Sequence, residues 1–224
     1  MHITPLGDAA LVVHLCAGFE DDAERCLTVV TSAQSRLEAA RLPGVIEIAP
    51  AFTTLGVFFD PLRTHDLEGG IAQALRKRSP KQRTKARRID VPVCYSDEFA
   101  PDLADVAARA ALTPAEVIEL HWRGLYRVAC VGFTPGFPYL SGLPEAIATP
   151  RRGKPRDAVP AGSVAIGGRQ TGIYPHASPG GWNIIGRTPL RLFDPGADPP
   201  SVFVIGDAVR FRSITRAEFD SFSE

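Results

Sequence analysis

Two glycine pairs and two arginines are the residues of this chain best suited to holding a small anion. Backbone N–H groups can converge on an oxygen at Gly167-Gly168 and at Gly180-Gly181, because no side chain blocks the approach. Arg156 and Arg187 could each make a bidentate contact with a carboxylate or a phosphate. Glycines also form hairpins and arginines also form surface ion pairs, so both uses stay open for each group.

His121 is the side chain that could exchange a proton near neutral pH. It falls near the end of a helix that the run Thr113-Pro114-Ala115-Glu116 is predicted to start. Thr can cap the helix, Pro suits its first position, and Glu can return the hydrogen bond to the cap. A single histidine is more often a structural hydrogen bonder, and that alternative stays open.

Standard catalytic motifs do not occur in the sequence. There is no GxxxxGK[ST] phosphate loop, and the run from Gly167 to Gly172 lacks the lysine and the following helix. Ser163 does not lie in a GxSxG elbow. The cysteines have neither CxxC spacing nor a histidine at ligand spacing, so we expect buried thiols and no protein-bound metal. They are Cys16, Cys26, Cys94 and Cys130.

Composition excludes some classes of partner. The formal net charge of zero argues against a dedicated nucleic-acid binder. No apolar run approaches the roughly 20 residues that cross a bilayer, and the first residues lack the layout of a signal peptide. We therefore expect a cytoplasmic protein that binds neither nucleic acid nor a membrane.

Turn residues punctuate the region that holds most of these candidates. Residues 132–187 contain 11 of the 20 glycines and 8 of the 20 prolines, between short runs of β-branched and aromatic residues. The candidates are therefore predicted to lie on loops of a strand scaffold. From Tyr126 onward we predict only strands and loops. Six predicted strands indicate a closed or nearly closed β-barrel: YRVACVGF, GSVAIGG, WNIIG, PLRLF, SVFVIG and AVRFRSI.

A basic segment is predicted to divide the chain. Of the thirteen residues 76–88, eight are Lys or Arg and none is acidic, which favours an exposed connector. An anion-binding arm or a docking strip for an acidic partner is the alternative. The predicted domains are residues 1–78, a linker over 79–88, and the barrel over 89–224.

The residues before the basic segment alternate between strand and helix patterns. This alternation predicts a small sandwich of ferredoxin-like type, which makes the whole chain α+β. The predicted elements are a hairpin around Leu6-Gly7-Asp8, helices over about 21–40 and 67–75, and strands over 45–48 and 53–59.

Three long motifs resemble those of the family of B-type 5-oxoprolinase subunits, also described as allophanate hydrolase subunit 1 and as a sporulation kinase inhibitor. They are GFTPGFPYL, then TPR with VPAGSVAIGGRQTGIYP, then SPGGW followed by IGRTPLRLFDP. The resemblance extends from about Leu6 to Arg212 and implies a ferredoxin-like domain followed by a cyclophilin-like barrel. Trp122-Arg123-Gly124-Leu125 departs from the family pattern, so the family's pocket entrance is not carried over to this chain.

The resemblance implies a subunit of a complex that hydrolyses 5-oxoproline to glutamate with ATP. Its partners would be a homologous C-type subunit, similar to allophanate hydrolase subunit 2, and a lactam-opening A-type subunit. ATP with Mg²⁺ would be a substrate of the complex. His121 and Tyr126 would contact the amide as catalytic residues, and Arg187 would hold anionic oxygens. The residues expected to bind the small amide or the nucleotide are Phe133, Pro135, Gly136, Phe137, Arg156, Ser163, Gly167, Gly168, Gln170, Thr171, Tyr174, Pro175, Ser178, Gly180, Gly181 and Trp182.

Three other functions stay open. A regulatory protein could dock on a histidine kinase through the aromatic and proline-rich face from Phe133 to Tyr139. An allophanate or urea amidolyase subunit would use the same family features on another small amide. Prolyl isomerisation follows only from analogy with the cyclophilin fold, and fold is a poor guide to function.

Overall fold

The computed structural model describes residues 1–19, 22–77 and 87–222. The chain divides into two compact units, Met1–Lys85 and Ala86–Glu224. The predicted linker lies outside the described residues except for its last two, so its exposure stays a prediction. Of these two, Arg87 forms an ion pair with Asp207 at 2.7 Å, and Arg88 already begins a strand. Among the described residues, no helix is long and apolar enough to cross a membrane.

The first unit combines an antiparallel sheet with two helices, as its sequence pattern predicts. The sheet order is β1-β2-β4-β3, so β4 lies between β2 and β3, the two strands that α1 connects. The predicted apolar face of α1 is buried at Leu27, Val30 and Leu37. The elements are β1 (His2–Pro5), β2 (Ala10–His14), α1 (Ala23–Ala40), β3 (Val45–Ala51), β4 (Thr54–Phe59) and α2 (Leu67–Arg76).

The second unit contains a closed seven-stranded β-barrel, which confirms the predicted barrel. Its elements are β5 (Arg88–Cys94), α3 (Leu103–Ala110), α4 (Pro114–Arg123), β6 (Tyr126–Val131), β7 (Pro138–Ser141), a 3-10 helix (Glu145–Ile147), β8 (Arg156–Val159), β9 (Ser163–Gly167), β10 (Gln170–Ile173), β11 (Ser178–Gly180), β12 (Asn183–Arg187), β13 (Ala208–Ile214) and α5 (Arg216–Ser221). The barrel order is β6-β13-β5-β12-β9-β10-β7, and β7 closes it by pairing with β6. Within this barrel the β13–β5 pair is parallel and the other pairs are antiparallel. Strands β8 and β11 form a separate two-stranded sheet.

Two of the predicted strands, residues 189–193 and 201–206, are loops joined by a single bridge between Phe193 and Ser201. Their apolar pattern marks burial rather than pairing, because Leu192 and Phe203 anchor these loops in the core. The short strands β7, β8, β10 and β11 were not predicted from the sequence. Helix α5 was not predicted either, although Thr215 and Glu218 form the same capping box that Thr113 and Glu116 form at α4.

Strands β9 and β12 are buried on both faces, and this double burial creates the scaffold of the candidate site. Val164, Ile166 and Ile185 belong to the main core. Their neighbours Ala165 and Ile184 belong to a second cluster that contains three aromatic rings. Because successive side chains of a strand point to opposite faces, one face fills the core and the other supports the aromatic cluster.

Candidate functional site

A pocket of about 510 Å³ opens beside this second cluster. We call it the aromatic pocket. Loops after β6 and before β8 contribute to it, together with β11 and the ends of its neighbouring strands. Its lining residues are Phe133, Thr134, Phe137, Tyr139, Arg151, Arg152, Pro155, Tyr174, Ser178, Pro179, Gly180, Gly181 and Trp182.

Phe137 is the centre of the pocket's aromatic wall. Its ring meets those of Tyr139, Tyr174 and Trp182 edge-to-face, with centroids 4.9, 5.2 and 5.6 Å away. Such pairs contribute about 0.5–1.5 kcal/mol each beyond the area that they bury. Phe133 also contacts Phe137 at 5.6 Å, yet 62% of its surface is exposed. The wall is therefore preformed, with one aromatic ring accessible at its edge.

Glycines make room for these rings. A Cβ atom on Gly167 would lie 2.6 Å from the indole nitrogen of Trp182, and one on Gly172 would lie 2.9 Å from the ring of Phe137. A Cβ on Gly180 would overlap the hydroxyl of Tyr174. These distances lie inside van der Waals contact, so only glycine leaves space for the aromatic wall at these positions.

Gly167 and Gly168 do not line the aromatic pocket, and their expected binding of an anion stays a prediction. The pair ends β9 and starts the turn to β10, and the N–H of Gly168 already donates to the carbonyl of Thr149 at 2.7 Å. The hairpin use of these glycines, left open by the sequence, is the observed one. Gly180 and Gly181 do line the aromatic pocket.

A buried carboxylate organises the cationic side of the pocket. Asp102 is 1% exposed and accepts hydrogen bonds from Arg152 Nη1 at 2.6 Å and from the backbone N–H of Ile184 at 2.7 Å. Arg156 donates to both oxygens of the same carboxylate at 2.8 Å. The bidentate contact expected of Arg156 is therefore made to Asp102 and not to a ligand. A buried carboxylate needs such compensation, since an unpaired charge in the core is strongly destabilising.

Arg151 brings a second cation to the pocket. Its guanidinium lies 5.8 Å from the centroid of the Trp182 ring. Burial raises the pKa of Tyr139 and of Tyr174, and the charge of Arg151 offsets part of this rise in both cases. Both phenols therefore stay protonated at neutral pH and can donate hydrogen bonds.

His121 lies in the core and has no exposed surface. The hydroxyl of Thr171 donates to the carbonyl of Ala165 at 3.0 Å, so it accepts from His121 Nε2–H at 3.0 Å. This assigns the proton to Nε2 and leaves Nδ1 to accept from the hydroxyl of Tyr95 at 2.8 Å. Burial lowers the pKa of His121 to about 3, which keeps the imidazole neutral.

This geometry gives His121 and Tyr126 structural contacts in the core, and the catalytic roles expected of them stay predictions. Tyr126 is 1% exposed, and its hydroxyl donates to the carbonyl of His121 at 2.7 Å. Neither residue lines the aromatic pocket, because the last turn of α4 packs its histidine against Phe211 of β13, with ring centroids 4.4 Å apart. The structural alternative fits His121. Thr171, expected to bind a ligand, is its buried partner.

Arg187 lies at a different pocket, of about 430 Å³. Its Nε donates to the carbonyl of Ala161 at 2.8 Å, and its guanidinium lies 5.5 Å from the ring of Phe99. Arg191 lines the same pocket, which we call the arginine pocket. The expected site residues Pro175 and Arg187 therefore do not meet those of the aromatic pocket. The arginine pocket is lined by Ala161, Gly162, Pro175, Arg187, Thr188, Pro189, Leu190, Arg191 and Phe219.

The aromatic pocket gathers seven of the expected binding residues: Phe133, Phe137, Tyr174, Ser178, Gly180, Gly181 and Trp182. Pro135 and Gly136 line a shallow concavity of their own loop, Ser163 is buried in β9, and Gln170 lies opposite Gly167 in the hairpin. The departure from the family pattern at Trp122–Leu125 is not part of the aromatic pocket's lining.

Sequence reasoning missed the residues that give this pocket its charge. Arg151 and Arg152 stand next to Pro150 in the second motif, and their adjacency to Lys154 and Arg156 was a usable signal. Asp102 occupies the N-cap position of α3 but makes no side-chain capping bond there, so its local position does not reveal its contacts with the arginines. Among the described residues, no group of three or more His, Cys, Asp or Glu could hold a metal ion.

Comparison with known proteins places this chain in a family. The model of the carboxyltransferase domain, subdomains C and D, matches residues 1–203. Three curated relatives are all named as B-type subunits of 5-oxoprolinase. The Bacillus subtilis protein is 41% identical over 99% of this chain and 96% of its own length, and the Escherichia coli protein is 46% identical over 76% and 78%.

Solved structures share the fold. A crystal structure of TTHA0988 is 36% identical with a TM-score of 0.78. It aligns with 92% of this chain, which spans 40% of the length of TTHA0988. The K. lactis urea amidolyase aligns with 98% of this chain and 15% of its own at a TM-score of 0.77. At 20% identity, that likeness concerns the fold alone.

Proposed function

The chain belongs to the family of carboxyltransferase domains, subdomains C and D, and from this membership we propose that it is a subunit of an ATP-dependent 5-oxoprolinase complex. The reaction would convert 5-oxoproline, ATP and water to glutamate. The observation that carries the proposal is the 41–46% identity to three proteins named as B-type subunits of 5-oxoprolinase, in two cases over nearly the whole of both chains.

The partners in this proposal are a homologous C-type subunit and a lactam-opening A-type subunit. The aromatic pocket offers cations, phenols and hydroxyls, but its lining contains no nucleophile with a paired base. A site that two different chains complete together accounts for this, and an isolated chain would then have little activity.

The two pockets suggest a division of tasks. The aromatic pocket would hold the small amide. The arginine pocket, with Arg187 and Arg191, would suit the phosphate groups of ATP, which Mg²⁺ would accompany. Transfer of phosphate to the lactam oxygen would give the following hydrolysis a good leaving group, and this chain would contribute positioning and charge stabilisation.

The finer fold assignments belong to the same proposal. A ferredoxin-like first domain is supported by the arrangement of β2, α1 and β3 around β4. A cyclophilin-like second domain is supported by the closed barrel. The domain limits 1–78 and 89–224, the cytoplasmic location and the lack of a nucleic-acid partner stay predictions.

Reconstitution tests the function. The chain would be co-expressed with homologues of the C-type and A-type subunits, and ATP hydrolysis and glutamate release would be followed with 5-oxoproline, allophanate or urea as substrate. We expect glutamate only from the complete complex with 5-oxoproline. Hydrogen exchange should slow over residues 133–140 and 178–185 when the C-type subunit docks. Turnover by the purified chain alone would contradict a shared site, and preference for allophanate or urea would move the chain to an amidolyase complex.

A regulatory role is the second candidate, favoured by the exposure of Phe133. A ring that is 62% exposed beside a preformed aromatic wall suits contact with a protein segment. Tight binding to a histidine kinase, together with no turnover of any small amide by the complete complex, would support this role instead.

A further inference from the structure

Unsatisfied polar atoms collect at the aromatic pocket. Thr134 Oγ1, Arg152 Nε and Ser178 Oγ are buried and have no hydrogen-bond partner among the residues that the structure describes. All three belong to residues that line this pocket. A buried polar atom without a partner costs about 1–3 kcal/mol, so three on one pocket are costly unless water or a ligand pairs with them.

The same pocket has a positive charge balance. Arg152 and Arg156 share the single carboxylate of Asp102, which leaves one positive charge in excess. Arg151 adds another, and none of the described residues that line the pocket is acidic. The cations are not neutralised locally, so the pocket favours an anion.

The guanidinium of Arg152 is hydrogen-bonded to Asp102 through one of its nitrogens, Nη1, at 2.6 Å, and its Nε remains unpaired. The carboxylate therefore fixes the guanidinium without using all of its donors. Thr134 and Ser178 can each bring a hydroxyl to the same ligand by rotation about one side-chain bond.

The opposite wall is apolar and rigid. Phe137, Tyr139 and Trp182 pack edge-to-face and leave a surface that suits a compact carbon skeleton. Sites for small molecules commonly combine such walls with a few polar groups that fix orientation.

We propose that the aromatic pocket binds a compact ring-containing monocarboxylate, with its acid group toward Arg151 and Arg152 and its ring against the aromatic wall. The inference rests on the proposed function, which supplies a small amide as substrate, and goes beyond it in assigning the acid end of that substrate to this chain rather than to a partner in the complex. Thr134 and Ser178 are specificity residues in this arrangement.

Three ligands separate the parts of the proposal. The isolated full chain would be titrated by calorimetry with 5-oxoproline, with cyclopentanecarboxylate, which keeps the acid and lacks the lactam, and with 2-pyrrolidinone, which keeps the lactam and lacks the acid. We expect the two acids to bind with dissociation constants within about tenfold of each other, and 2-pyrrolidinone to bind at least about tenfold more weakly, since it forgoes a charge-assisted contact.

Variants identify the contacts. Arg151→Gln should weaken the binding of both acids at least about tenfold and leave the binding of 2-pyrrolidinone unchanged. Ser178→Ala should weaken the binding of the acids several-fold. Arg212→Gln removes an equal charge from β13, outside the pocket lining, and is the matched control that should bind as the unmodified chain does.

The inference is overturned if 2-pyrrolidinone binds as tightly as the acids, if neither acid binds, or if Arg151→Gln and Arg212→Gln behave alike. These outcomes are separate from failure of the proposed function. A complete complex that does not hydrolyse 5-oxoproline, with an isolated chain that still binds cyclopentanecarboxylate, refutes the function and supports the pocket assignment. An active complex whose isolated chain binds no acid supports the proposed function and refutes the pocket assignment.

Discussion

Replacing His121 by Gln tests whether the buried imidazole controls the pH dependence of stability. Burial lowers the pKa of His121 from an ordinary value of 6.5 to about 3. Between these two values the unfolded chain binds a proton that the folded chain does not. The stability that depends on the neutral imidazole is therefore complete above about pH 6.5 and is lost as the pH falls toward 3.

The expected size follows from the width of this window. A pH of 5 is about 1.5 units below the pKa of the histidine in the unfolded chain, and this difference corresponds to about 2 kcal/mol of lost stability. That is a large share of the roughly 5–15 kcal/mol that stabilises a domain. Gln can donate to Thr171 and accept from Tyr95 without titrating, so His121→Gln should lack this loss. It should also be less stable at pH 7.5, because it gives up stacking on Phe211.

Urea unfolding at pH 7.5, 6 and 5 measures the difference. Both tryptophans, Trp122 and Trp182, belong to the barrel unit, so their fluorescence follows the unit that contains His121. His176→Gln, at a histidine outside the core, is the matched control and should keep the slope of the unmodified chain. Parallel pH profiles for the unmodified chain and His121→Gln would refute the assignment of a neutral core histidine.

Three further substitutions test the rest of the site. Gly167→Ala should lower the stability of the barrel unit by about 1–3 kcal/mol, because the added Cβ presses on Trp182. Gly153→Ala is the control, since its Cβ meets nothing within 4 Å and should not lower the stability. Equal melting temperatures of the two variants would contradict the spacer role of Gly167. Asp102→Asn should lower the free energy of urea unfolding by about 3 kcal/mol, because two arginines lose their counter-charge. Asp90→Asn removes the acid of a half-exposed ion pair and should lower it by under about 1 kcal/mol. Similar losses for the two variants would contradict the buried network. Arg187→Ala should keep the melting temperature within a few degrees and abolish amide-dependent ATP hydrolysis in the reconstituted complex, and full activity would reduce Arg187 to a structural residue.

The sequence predicted elements well where one local signal determined the structure. The capping box at Thr113 placed the start of α4, and the spacing of Leu27, Val30 and Leu37 placed the buried face of α1. It failed where long-range contacts decided the outcome. Leu192 and Phe203 lie in apolar runs that look like strands, but their burial in the core holds them as loops.

The candidate site was predicted less well than the fold, and His121 shows why. A polar side chain at a helix end is compatible with catalysis and with burial, and only the positions of Tyr95 and Thr171 decide between them. These partners lie 26 and 50 residues away in the chain, so no local pattern reveals them. The contact of Arg156 with Asp102 spans 54 residues and was hidden for the same reason.

The glycines around the aromatic pocket have a role that the sequence pattern did not predict. A glycine-rich stretch next to arginines suggests backbone binding of an anion, yet Gly167, Gly172 and Gly180 are positions where a Cβ would strike Trp182, Phe137 or Tyr174. Each of these glycines therefore makes room for at least one ring, and Gly172 makes room for both Phe137 and Trp182. Because the rings define the pocket and the glycines admit the rings, Gly167 and Gly172 shape the site although neither lines it. The polar side chains that line the pocket come from other positions, among them Thr134, Arg151, Arg152 and Ser178, and the proposed ligand specificity depends on them.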